Sequence, residues 1–473
     1  MKVLLVNPPN NYIIKSNVPG FLQQKTTYLP PLGLLYVASY LEKKTNHSVK
    51  IYDATVYKAN YAKIAEIAKG YDVIGITAVT FTLIDVTKTV EAIRLENPTA
   101  PIVIGGPHVA IFPQETENIP GVNFVLQGEG EESFAQLVDL LAEGSKKYNA
   151  VPGLYWKEGG QIKFNPTSDF VADLDELPVP NRRLLDYRFY HSILSRKDSG
   201  EHYVTTAFSS RGCPYKCIFC DRPNLGKKFR SHSPRYVVDE IEQLLELGIQ
   251  EIIFYDDTFT IKRDRVNEIC ELILQKNIKV QWDIRARVND VNRDMLQLMK
   301  RAGCTRIHFG VEAGSSEMLK VLKKGITRKL AIQAFHDAHE AGIETLGYFM
   351  FGCPNETRSQ MQETFDFALE MNPDYAHFAI LTPFPGTPVY IEAIQKGLYA
   401  NDYWREFALS PSHDFVPPPL PNTLPREELD NILKKAYKDF YVRPKYIFKE
   451  GLKIRSWSDL KTKANLAMGM LWE

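Results

Sequence analysis

The sequence predicts an α/β protein in four parts. A doubly wound parallel-sheet domain takes residues 1–145 and a linker with a β-hairpin takes 146–200; a partial (β/α)6 barrel takes 201–400 and a mainly helical extension takes 401–473. Three observations carry this reading. Short apolar runs alternate with helical periodicity up to residue 145. A second alternating series of six units begins near Val204. After about Asn401 the alternation fades, and Pro417-Pro418-Pro419-Leu420-Pro421 marks an extended connector.

In the first part the predicted strands are Lys2–Asn7, Ser48–Asp53, Asp72–Thr77, Pro101–Ile104 and Asn123–Leu126. Helical periodicity falls at Leu32–Lys44, Phe81–Glu96 and Glu131–Ala142. Continuous apolar strands alternating with helices predict a five-stranded parallel sheet covered on both faces. Such sheets bind ligands beyond the carboxyl ends of their strands, at the topological switch. The turns at that edge carry Asn7 and Pro8, Thr77, Gly105 and Gly106, and Gly128, Glu129 and Gly130. Each also has a plainer reading, as Gly or Pro closing a tight turn.

Leu154 to Phe164 reads as a hairpin around Gly159-Gly160. An acidic, proline-containing connector follows from Asp173 to Arg183. The second series predicts strands at Val204–Phe208, Glu251–Tyr255, Val280–Ile284, Arg306–Val311, Glu344–Phe351 and Tyr375–Leu381. Helices are predicted between them, as at Pro234–Leu247, Asp264–Lys276 and Arg328–Ala341. Successive βα units predict a partial barrel with its chemistry at the C-terminal strand ends. The basic, aromatic stretch Tyr441–Lys449 reads as a peripheral membrane contact, as a contact to an apolar substrate or, more simply, as a segment packed across the barrel bottom.

Charge and cysteine usage narrow the classes. Lys plus Arg and Asp plus Glu each total 57, so the basic excess of a general nucleic-acid binder is missing and no nucleic-acid partner is expected. No stretch approaches the ~20 apolar residues of a membrane span. The N-terminus lacks the apolar core of a signal peptide. A cytoplasmic protein with no transmembrane segment is expected. Six cysteines are present, none before Cys213, and a tight trio in such a chain reads as metal ligation rather than disulfides.

That trio stands in Arg211-Gly212-Cys213-Pro214-Tyr215-Lys216-Cys217-Ile218-Phe219-Cys220, just after the first strand of the second series. Zinc in a closed structural site wants a fourth Cys or His, and a four-iron cluster usually takes four cysteines. Three leave one metal position open to a small molecule, unless a remote group such as His232 closes it. Cys270, Cys304 and Cys353 read as buried small hydrophobes or turn residues.

With Phe219 at the aromatic position, the loop resembles the C-x3-C-x-aromatic-C loop of the radical S-adenosylmethionine (SAM) superfamily. The resemblance implies a [4Fe–4S] cluster on Cys213, Cys217 and Cys220, whose open iron chelates SAM; one-electron reduction then cleaves SAM to a 5′-deoxyadenosyl radical. It also implies roles for the strand ends. Asp256 and Asp257 fall at the acidic motif that meets the methionine ammonium, although Asp257 reads equally as a helix cap. Arg287 matches an arginine suited to the SAM carboxylate, with a plain ion pair as its rival reading. Glu312 falls where the ribose or methionine end is reached, and Gly352 in the stretch that passes the adenine.

Two family types place an α/β domain ahead of this core. Methylthiotransferases need three cysteines there, and this chain has none. The first domain is similar to the other type, which binds cobalamin, in Val103-Ile104-Gly105-Gly106-Pro107-His108 and Gln127-Gly128-Glu129-Gly130-Glu131-Glu132. The D-x-H-x-x-G motif that supplies a lower axial imidazole is replaced by Asp53-Ala54-Thr55-Val56-Tyr57-Lys58, so cobalamin without a protein histidine ligand is expected; His108 is a weak substitute. The layout resembles the group of the anaerobic magnesium-protoporphyrin monomethyl ester cyclase. The expected reaction is methylation of an unactivated carbon of a small-molecule substrate, with flavodoxin or ferredoxin as electron donor. The alternatives are oxidative cyclisation without methyl transfer and a non-catalytic cobalamin or redox sensor.

Overall fold

The computed structural model describes residues 1–14, 27–192, 203–221 and 226–452. The end of the predicted linker and residues 453–473 of the predicted extension therefore lie outside the described residues.

The first sheet is built on β1 (Lys2–Asn7), β2 (Ser48–Asp53), β3 (Val73–Thr77), β4 (Ile102–Gly105) and β5 (Phe124–Leu126), all parallel, in the order 2-1-3-4-5. The order reverses beside β1, which puts the switch point between β1 and β3. Val3 and Leu5 face one helical layer while Leu4 and Val6 face the other, and all four are buried. Two-sided burial explains why the strands read as continuous apolar runs.

The sheet has seven strands, where five were expected. The hairpin β6 (Leu154–Glu158) and β7 (Gln161–Phe164) adds to the free edge of β5 antiparallel, with Trp156 opposite Phe124. The unpaired backbone groups of a three-residue edge strand would otherwise face solvent, and the hairpin satisfies them.

The second sheet is six-stranded and wholly parallel, in the order β8 (Tyr203–Ala207), β11 (Ile249–Phe254), β12 (Gln281–Ala286), β13 (Cys304–Glu312), β14 (Glu344–Phe351) and β15 (Tyr375–Ile380). It forms the expected partial barrel. Every second residue, among them Ile252, Ile284, Ile307, Phe309, Phe349 and Phe378, packs into one large core against the outer helices. The alternate residues face the lumen.

The helical extension joins the two halves. The helix Tyr403–Leu409 buries Trp404 and Phe407 in the core of the first domain, and Arg405 pairs with Glu115 at 2.7 Å. The helix Arg426–Tyr441 instead buries Leu429, Leu433, Tyr437 and Phe440 against the barrel. Beyond it, the Tyr446 hydroxyl donates to the Asp374 carbonyl at 3.0 Å and Lys449 pairs with Asp374 at 2.8 Å, so this stretch packs across the start of β15. No helix among the described residues is long and apolar enough to cross a membrane.

Candidate active site

The cysteine loop is stapled at its base. The short strands β9 (Ser210–Arg211) and β10 (Arg230–Ser231) pair antiparallel on either side of it. Its middle is pinned where Ile218 donates to the Leu322 carbonyl at 3.2 Å and accepts from Val389 N at 2.9 Å. None of the six cysteines is joined in a disulfide. Cys217 is buried, while Cys213 and Cys220 are half-buried. Among the described residues the three thiols are not gathered into a ready metal-binding set. The donor chemistry nonetheless fits a cluster that draws three thiolates inward from one loop and leaves a position open.

His232 does not close that position. It is fully buried, its Nδ1 lies 3.1 Å from Asp175, its ring stacks on Tyr236, and burial lowers its pKa to about 3.

Arg287 leaves the end of β12 and lies against the loop. Its Nη1 donates to Cys217 Sγ at 3.3 Å, its Nη2 donates to the Lys324 carbonyl, and its guanidinium lies 3.8 Å over the Tyr215 ring. Tyr215 is held in turn by Asp290 at 2.5 Å. The surface ion-pair reading of Arg287 fails, because the side chain is buried on the loop itself.

The two aspartates after β11 part company. Asp256 is fully buried and accepts from Ser209 N at 2.8 Å and from the hydroxyls of Ser209 and Ser210, so it ties β11 to the loop's entry strand. Its carboxylate is not presented to a ligand. Asp257 is exposed, and its charge acts on Cys213, whose thiol is raised first by burial and then by this neighbour. Glu312 ends β13 at a positive φ of 76° and accepts from Lys324 Nζ at 2.8 Å. Lys324 Nζ also lies 5.8 Å from the Phe219 ring. Gly352 has φ +75°, which favours glycine, and the next amide, Cys353 N, donates to Glu356 at 2.9 Å.

At the edge of the first sheet, Asn7 Nδ2 donates to Asp53 Oδ1 at 2.8 Å. Thr55 Oγ1 donates to the Pro8 carbonyl at 2.9 Å. The position of the missing imidazole is thus a threonine knitted into its own turn. Tyr190 from the linker donates to Asp53 Oδ2 at 2.9 Å, and burial raises the Asp53 carboxyl. Gly106 (φ +100°) brings β3 and β4 together so closely that a Cβ would stand 2.8 Å from both the Ala78 carbonyl and Thr77 Oγ1. An edge of backbone and small groups fits a large planar ring. His108 offers no lower ligand: it is fully buried, its Nδ1 lies 3.0 Å from Thr80 Oγ1, and burial lowers its pKa to about 4.

One group at this edge has a different job from the one expected. Glu129 accepts from Arg211 Nη1 at 2.8 Å, from Arg230 Nη1 and Nη2 at 2.9 and 3.0 Å, and from Val171 N at 2.9 Å. Its acceptor positions are filled, so the carboxylate is not free for a cofactor. Arg211 Nη2 also donates to Glu131 at 2.7 Å and the guanidinium lies 4.7 Å from the Tyr36 ring. Arg211 and Arg230 stand opposite each other in the loop's staple, so a buried ion-pair cluster fastens the cysteine loop to the turn between Gly128 and Gly130. Sequence reasoning missed both arginines. The one available signal was that an arginine stands directly before the first cysteine turn.

The Radical SAM superfamily model matches residues 208–368 and the B12 binding domain model matches residues 24–138. Over 95% of this chain and 94% of the relative, the sequence is 36% identical to an uncharacterized methyltransferase of Pyrococcus horikoshii. This chain belongs to the radical SAM superfamily. It is an enzyme of the branch that carries a B12-binding domain. It is also 30% identical to the anaerobic magnesium-protoporphyrin IX monomethyl ester cyclase of Cereibacter sphaeroides, over 88% of this chain and 67% of that one. In fold, this radical SAM protein is similar to the cobalamin-dependent S-adenosylmethionine radical enzyme OxsB, with a TM-score of 0.75 and 20% identity over 99% of this chain and 72% of that one.

Proposed function

We propose that this radical SAM enzyme holds a [4Fe–4S] cluster, SAM and cobalamin, and methylates an unactivated carbon of a small-molecule substrate. The observation that carries the proposal is the buried Glu129–Arg211–Arg230 cluster, which fixes the cysteine loop against the glycine-rich edge of the B12-binding domain. When bound, the reduced cluster and SAM supply a 5′-deoxyadenosyl radical, and cobalamin supplies the methyl group.

The chain's own residues bind and orient. Cys213, Cys217 and Cys220 hold the cluster. Arg287, already on Cys217 Sγ, offsets thiolate charge and offers a fork to the SAM carboxylate. Asp257 faces the ammonium, Glu312 is braced by Lys324 at the ribose or methionine end, and the backbone at Gly352 passes the adenine. Asn7, Pro8, Thr77, Gly105, Gly106, Gly128 and Gly130 line the cobalamin edge. Glu129 acts there through the two arginines. A flavodoxin- or ferredoxin-type donor supplies electrons in the cytoplasm.

The second reading is oxidative ring closure without methyl transfer, favoured by the 30% identity to the cyclase. Product analysis under reducing anaerobic conditions separates the two. Methyl transfer predicts 5′-deoxyadenosine together with sustained S-adenosylhomocysteine, whereas 5′-deoxyadenosine alone favours cyclisation. Absence of both products contradicts either reading.

A further inference from the structure

The barrel lumen carries a belt of side chains that the cofactor assignments leave unused. Alternate residues of four neighbouring strands face it at one level: Tyr255 just past β11, Arg285 on β12, His308 on β13 and Tyr348 on β14. Arg285 pairs in register with His308. Tyr348 stands in register with Gly310 on β13 and with His377 on β15. The contacts follow the register. The Arg285 guanidinium lies 3.9 Å from the Tyr255 ring, His308 Nδ1 lies 3.0 Å from the Tyr348 hydroxyl, and the Tyr348 and His377 rings are 5.6 Å apart.

Two groups in this belt keep capacity for a ligand, Arg285 being held by Tyr255 and Tyr348 rather than by an acid. Arg285 has no carboxylate within ion-pair distance among the described residues. The nearest acid on its own strand face, Asp283, lies one pleat lower and is turned to Arg306 at 3.6 Å, which Glu344 also holds at 3.1 Å. His308 is the second: it is 8% exposed, and its Nε2 makes no hydrogen bond, with Asp283 Oδ2 3.8 Å away. Arg285, Tyr348 and His377 are half-exposed and Tyr255 is exposed, so the belt opens on free space. Burial lowers the pKa of both His308 and His377.

The belt is also well placed. Arg287, whose Nη1 touches Cys217 Sγ, lies two residues further along the chain, just past the end of β12. Two residues of strand advance about 7 Å, so the Arg285 guanidinium sits one pleat beneath the cysteine loop.

We propose that Arg285, flanked by Tyr255, Tyr348 and His308 Nε2, is the substrate anchor of this enzyme, and that its substrate carries an oxyanion, carboxylate or phosphate-type, on a planar or apolar body. This rests on the radical SAM reading for its place in catalysis. The chemistry of recognition is separate: a fork stacked on an aromatic ring binds an oxyanion in two-point fashion, and an unpaired buried imidazole nitrogen supplies a further hydrogen bond.

The test uses the full-length, anaerobically reconstituted protein and four probes of one shape: benzoate, phenylphosphonate, neutral benzamide and cationic benzamidinium. Binding is read by calorimetry or ligand-observed NMR. The expected result is that at least one of the two anions binds at millimolar concentration, that R285Q weakens it by about tenfold, the loss of one charge-assisted contact, and that R285K retains part. H308Q, which keeps Arg285, weakens it less. A preference for benzoate identifies a carboxylate substrate, and a preference for phenylphosphonate a phosphate-type one. Iron content shows that each variant is folded. R235Q, at an exposed position, leaves binding unchanged. Failure of both anions to bind, equal binding of benzamide, preference for benzamidinium, or anion binding indifferent to R285Q would each overturn the proposal. Formation of 5′-deoxyadenosine by the wild type, followed in the same preparation, bears on the radical SAM reading alone.

Discussion

Cys217 concentrates two demands on one atom: it is a proposed cluster thiol and it accepts from Arg287. Alanine at Cys213, Cys217 or Cys220 is expected to abolish cluster retention after anaerobic purification, read as iron per chain falling from about four towards zero. R287Q is expected to keep most of the iron and to lose SAM affinity by about tenfold or more, since a neutral amide cannot replace a guanidinium fork. Retained iron in a cysteine variant would remove that residue from the ligand set. A different residue sets a pH response. Glu117 is fully buried, neither carboxylate oxygen has a hydrogen-bond partner, and burial raises its pKa from 4.5 to about 7. A raised acid pKa means that the folded chain holds the proton more tightly than the unfolded one. The associated stability is complete below about pH 4.5 and is lost as pH rises through 7, a swing of about 3 kcal/mol. E117Q is therefore expected to flatten the fall in Tm between pH 5 and pH 8; parallel Tm profiles for the two proteins would contradict this.

At the scale of elements, the ion-pair cluster around Glu129 is the joint between the cysteine loop and the first sheet. Removing one partner leaves buried guanidinium charge uncompensated, which costs about 3–5 kcal/mol. E129Q is expected to shift the denaturation midpoint accordingly. E66Q, which removes only the exposed Lys63–Glu66 pair, changes stability by about 0.5 kcal/mol or less. Equal effects of the two substitutions would show that the cluster carries no special burden. The same joint marks where sequence reasoning stopped. Strand and helix positions were legible because two-sided burial writes continuous apolar runs: β1, β2 and β14 fall at their predicted bounds, and other strands differ by a few residues at their ends. The hairpin was legible as a hairpin, but its docking on β5 was not, since edge pairing uses backbone groups common to all residues. The staple of Arg211 and Arg230 joins residues about a hundred positions from Glu129, and no local pattern encodes such a meeting. Asp256 and Asp257 looked alike in sequence, and only the fold separates the buried one from the exposed one.

For the whole molecule, the extension closes the account. Trp404 and Phe407 sit in the core of the B12-binding domain, while Leu429, Tyr437 and Phe440 sit in that of the barrel, so one chain segment holds the two cofactor edges together. The weak periodicity after Asn401 concealed this, because two helices bury their faces against different domains. The central claim is that both cofactors belong to one chain, and it is tested most directly by the iron and cobalt content per chain after anaerobic purification from cells supplied with cobalamin. The account predicts about four irons and one cobalt, with the cobalt kept in C217A and the iron lost. Iron without cobalt would contradict the claim and leave the first domain in need of another ligand.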